Sequence, residues 1–77
     1  MTGDEFRATR RRLGLSVVQW GLLLGYQGNL NTISKTVRGY EGRRAGDIPE
    51  HIGRLAWLLD RGLDMLPNQW LRGAGIP

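Results

Sequence analysis

"LGYQGNLNTISKTVRGYEG", residues 24–42, decides the fold. Ile33, Val37 and Tyr40 recur at helical spacing. Between them stand Asn, Thr, Ser, Lys and Arg, which hydrogen-bond readily but build poor cores. The pattern predicts an amphipathic helix over about 30–41 with one apolar stripe turned inward. Steps of about 100° per residue place Asn31, Lys35 and Arg38 on the opposite side, flanked by Ser34 and Gly39. Asn29 or Asn31 can cap this helix. Gly39 and Gly42 weaken it but permit close approach to another surface.

The same grammar extends outward. Thr2 with Glu5 forms a capping-box pattern for a first helix, which buries Phe6, Thr9 and Leu13 and stops at Gly14. Ser16 with Gln19 repeats the box for a second helix, with Val17, Trp20, Gly21, Leu23 and Leu24 on its apolar face and Gly25 at its end. Beyond the loop "GRRAG" (42–46), Asp47 and Glu50 mark another start, with Pro49 tolerated in the first turn. The fourth helix runs to about Arg61, burying Ile52, Leu55, Ala56 and Leu59, and Gly62 stops it. A short helix around Asn68–Arg72 precedes a frayed end. No strand pattern, repeat or heptad run occurs. The expected fold is all-α, a compact bundle of four to five helices. The expected layout is a domain over 1–66 and a tail or short helix over 67–77.

Composition narrows the function. Seventy-seven residues give room for one small domain with a thin core. Cysteine is absent, which excludes disulfides and thiolate metal sites, and a single histidine argues against a histidine-rich one. His51 reads as a surface residue of a first helical turn. The N-terminus "MTGDEF" does not resemble a signal peptide. The most apolar window, "VVQWGLLLGY", is too short to span a bilayer. A soluble, cytoplasmic chain is expected. The net charge of +4 divides unevenly, as +2 over 1–28, +3 over 29–46 and −1 over 47–77. Ten of the eleven cations are arginine, the side chain best suited to forked phosphate and base contacts. A polyanionic partner on one side follows from that distribution. Two serines that could serve as nucleophiles, Ser16 and Ser34, and one histidine make no plausible triad. There is no phosphate-binding glycine loop, so neither enzyme activity nor a cofactor is expected. Asp60 and Asp64 read as two solvated acids.

In order, "EFRATRRRLGLS", "GLLLGY" and "ISKTVRGYEG…IPEHIGRLAWLL" resemble the lambda-repressor/Cro-like helix-turn-helix family, often called XRE-like. The resemblance covers roughly residues 4–60. Gly21 stands for the family's small residue in the second helix, Gly25 for its turn glycine, and Val37 and Tyr40 for its two buried residues in the recognition helix. Glu41 follows the aromatic, as an acid often does there. The stretch from Gly25 to Val37 is about six residues longer than usual, so "QGNLNT" (27–32) lengthens either the turn or the front of the third helix. Val18 and Leu22 fall where the family is usually polar.

The resemblance implies a transcriptional regulator, most naturally a repressor of its own gene or of a short phage or mobile-element operon. Its expected partner is a partly palindromic operator in double-stranded DNA, with no membrane and no small-molecule ligand. Asn31, Ser34, Lys35 and Arg38 are the expected base contacts, since Lys and Arg donate to guanine and Asn pairs with adenine. Asn29, Thr32, Arg43, Arg44 and Arg12 are the expected phosphate contacts. A homodimer is expected through Trp57, Leu63, Leu66, Trp70 and Leu71, with Val18 and Leu22 as the other candidate surface. The rival expectation is a small protein-binding module, such as an antitoxin or phage inhibitor, on the same fold.

Overall fold

Short polar side chains, prolines and glycines set the helix boundaries. The computed structural model describes residues 1–42 and 48–76. Helix α1 (Gly3–Arg12) begins at Thr2, whose side chain accepts from the Glu5 N–H at 3.1 Å. The Glu5 carboxylate accepts from the Thr2 hydroxyl rather than from its backbone, so only half of the expected box forms. Helix α2 (Val17–Leu23) has the full reciprocal box between Ser16 and Gln19. Helix α3 (Leu30–Tyr40) is capped by Asn29, whose side chain accepts from the Asn31 N–H at 2.8 Å.

Helix α4 (Glu50–Arg61) starts after Pro49, whose carbonyl accepts from the Ile52 and Gly53 N–H groups. Pro49 thus precedes the first turn rather than sitting in it, and the expected signal at Asp47 lies outside the described residues. A 3₁₀ turn, Leu63–Met65, leads to α5 (Asn68–Gly73). The described residues contain no strand, and no helix among them is long and apolar enough to cross a membrane.

Three helices end alike. Past α1, α2 and α5, the backbone at Gly14, Gly25 and Gly75 turns left-handed, with φ of 72°, 98° and 76°. The next N–H reaches back to satisfy an orphan carbonyl: Leu15 to Arg10, Tyr26 to Gly21 and Ile76 to Leu71. Helix α5 is therefore capped where a frayed end was expected. Ala74 is buried in the core, and the Gln19 side chain donates to the Gly75 carbonyl at 3.2 Å.

Phe6, Trp20, Val37, Ile52, Ala56 and Leu59 form the centre of the core, and Leu55 lies at its margin. The Phe6 ring sits 5.5 Å from Trp20 and meets Tyr40 edge-on at 5.9 Å, tying α1 to α2 and α3. Helix α2 packs closely on α3 at Gly21, where any Cβ would run into Ile33 and crowd Val37. That missing side chain sets the separation of the two helices and so the pose of α3.

Candidate nucleic-acid interface

The exposed face of α3 is built from the inside out. Ile33 and Val37 are buried, which turns Asn31, Thr32, Lys35 and Arg38 to solvent and leaves Ser34 at the margin. Of the lengthened stretch, Gln27, Gly28 and Asn29 belong to the connection, whereas Leu30, Asn31 and Thr32 form the first turn of α3. Asn29 spends its side-chain oxygen on the cap, so the Asn31 side chain is not needed there. Tyr40 is half-buried rather than core, and its hydroxyl shares a 2.6 Å hydrogen bond with that of Tyr26. Burial first, and then this bond, push the Tyr26 phenol well up, so it stays protonated at neutral pH. The pair fastens the connection after α2 to the end of α3.

Ion pairing sorts the cations. Arg10 forms a forked bridge to Glu41, Nε to Oε2 at 2.7 Å and Nη2 to Oε1 at 3.0 Å. It is not part of a wet arginine run: the two side chains are only 14% and 8% exposed. Arg12, expected on phosphate, instead holds Asp60 at 2.8 Å and donates to the Thr9 hydroxyl. Asp60 is therefore not a simple solvated acid. The Arg12 hydrogen bond leads in holding its carboxyl below the usual range, against a smaller opposing effect of desolvation. Arg54 pairs with Glu50 on the surface. Among the described residues, Arg7, Arg11, Lys35, Arg38, Arg61 and Arg72 make no ion pair. Four of these six lie on α1 and α3. Arg43 and Arg44, expected on phosphate, lie outside the described residues.

The Arg12–Asp60 pair has a pH signature. Because the folded Asp60 is the stronger acid, its contribution is present above the unfolded carboxylate pKa, near 3.9. It is lost as pH falls through the lower folded value. Asp60→Asn removes that dependence, so its melting temperature should fall less steeply than the wild type's below about pH 4 in a pH series of thermal melts.

The five residues expected at a dimer interface line three different clefts. Trp57 is half exposed and lines a cleft between α1 and α4 with Met1, Ile48, Pro49 and Leu58. The Arg61 guanidinium stacks 3.2 Å above its ring. Leu66 and Trp70 line a second cleft with Leu22, Tyr26 and Leu55. Leu63 and Leu71 line a third with Leu13 and Ile76. Leu63, Leu66 and Leu71 also pack against the chain's own core. Val18 and Leu22 are half-buried, and the expected choice between Leu22 and the tail dissolves because Leu22 and Trp70 face the same cleft.

Sequence reasoning missed Arg7. It is exposed one turn before Arg10 on α1 and shares a cleft with Arg38, Val17 and the Arg10–Glu41 pair. The signal was available only once Arg10 and Glu41 were known to touch. No family model, curated protein or solved structure matches this chain.

Proposed function

We propose that this chain is a sequence-specific, double-stranded-DNA-binding regulator of transcription, a cytoplasmic repressor of the lambda-repressor/Cro-like type. It acts by binding rather than by catalysis and needs no cofactor. The observation that carries this reading is the polar face of α3, a short helix held by close packing on α2, with Asn31, Lys35 and Arg38 directed outward. In this reading α3 enters the major groove, where Asn31, Ser34 and Lys35 meet base edges. The unpaired cations of α1 lie toward the phosphates.

The longest extent of the chain is 33 Å, so one copy reaches little more than one groove face. Two copies related by a two-fold axis would place their α3 helices about 34 Å apart on a partly palindromic operator. The exposed Trp70, in the cleft it shares with Leu22 and Leu66, is the anchor we assign to that contact.

The second reading, a protein-binding module of the antitoxin or inhibitor kind, is favoured by one observation. Trp57 and Leu58 are exposed at an apolar cleft that no residue of α3 lines.

Lys35→Ala and Asn31→Ser discriminate the two readings. Each is expected to weaken binding to the preferred duplex by about 1–3 kcal/mol and to relax preference at one base position, with little change in thermal stability. Competition titrations against single-base operator variants read the effect. Unchanged affinity and preference in both variants would remove α3 as the reader.

A further inference from the structure

The Arg10–Glu41 bridge determines what lies beside it. Residues three apart on a helix are surface neighbours. Arg7 precedes Arg10 by three on α1, and Arg38 precedes Glu41 by three on α3. Drawing Arg10 and Glu41 to 2.7 Å therefore brings Arg7 and Arg38 to the walls of one cleft, with Val17 of α2 also lining it. Among the described residues Glu41 is the only acid lining the cleft, and both its oxygens are taken by Arg10. Arg7 and Arg38 are exposed, and neither makes an ion pair among the described residues. Two forked cations facing one space above a neutralised floor repel each other until an anion lies between them.

We propose that Arg7 and Arg38 together clamp a single phosphodiester of the DNA backbone. The proposal rests on the DNA-binding reading and changes it in one respect. Arg38 lies seven residues beyond Asn31, about 10 Å along the helix axis at about 1.5 Å per residue. It serves as a phosphate ligand shared with α1 rather than as a base reader. The clamp fixes the end of α3 to the backbone and so sets how deeply Asn31 and Lys35 enter the groove.

The test measures affinity by fluorescence anisotropy across a sodium chloride series. It uses the wild type, Arg7→Gln, Arg38→Gln, the double variant and Lys35→Ala, each on the preferred duplex and on a scrambled one. Thermal melts of all variants check folding. One phosphate contributes about 0.9 to the slope of log affinity against log salt. If both arginines hold the same phosphate, the double variant loses about 0.9 in total. Each single variant then loses less than that, and all losses are equal on both duplexes.

Additive losses reaching about 1.8 would mean two separate phosphates and overturn the clamp. So would an Arg38→Gln effect confined to one base position, or an unchanged slope. A protein that responds to Lys35→Ala but not to the arginine variants keeps the DNA-binding reading and loses the clamp. A wild type with no salt-dependent duplex binding loses both.

Discussion

Glu41→Ala is expected to cost about 3–5 kcal/mol of folding stability, because it leaves a largely buried guanidinium without its counter-charge. The forked geometry uses both Glu41 oxygens, and the third Arg10 nitrogen donates to the Leu15 carbonyl at 2.9 Å. Without the acid, Arg10 retains that single carbonyl, and solvent reaches only a small part of its side chain. A 77-residue domain has roughly 4–12 kcal/mol to lose, at about 0.05–0.15 kcal/mol per residue. The variant therefore stands near global unfolding, and urea denaturation measures the loss directly. Arg10→Met combined with Glu41→Leu removes both charges and should recover at least half of it. A single-variant loss under about 1 kcal/mol would mean that water solvates the pair far better than its burial implies. The bridge also matters for function, since it joins α1 to the end of α3 and holds Arg7 near Arg38.

Phe6→Ala is expected to cost a similar amount, about 3–5 kcal/mol, through lost burial and the cavity left behind. Phe6 is fully buried and touches Trp20 on α2 and Tyr40 at the end of α3. The surrounding rings are rigid and held by other contacts, Tyr40 by its bond to Tyr26, so the site closes poorly around an alanine. Phe6→Leu keeps most of the volume and should cost less than about 1.5 kcal/mol. Chemical denaturation gives both values, and near-ultraviolet circular dichroism follows the loosening around Trp20. Equal costs for leucine and alanine would show that the aromatic edge contacts, not filled volume, hold the three helices together.

The helices were legible because their start and stop signals are local. Ser16 with Gln19, and glycines 14 and 25 with their left-handed backbone, act within a few residues of the ends they define. The apolar stripe of α3 was legible for the same reason, and with it the exposure of Asn31, Lys35 and Arg38. What the sequence hides is pairing across distance. "RRR" at 10–12 reads as one basic run. Yet Arg10 finds an acid 31 residues on and Arg12 one 48 residues on, and nothing in the local text names either partner.

The same limit concealed the role of Gly3. A Cβ there would lie 2.6 Å from the Tyr40 carbonyl oxygen, so α1 can meet the end of α3 only without one. The C-terminal helix was placed to within one residue, but its docking was not legible, because its buried anchor, Ala74, is too small to mark an apolar stripe. Its docking changes what truncation tests. Deleting residues 67–77 removes part of the core as well as Trp70, so a smaller oligomer after that deletion does not isolate the interface.

Selection from a random duplex DNA library, followed by sequencing of the bound fraction, tests the central claim most directly. Reading by α3 from a two-fold dimer predicts enrichment of a consensus made of two inverted half-sites, centred about 10 base pairs apart, one helical turn. An unenriched library, recovered no better than by the Lys35→Ala protein, would contradict the claim.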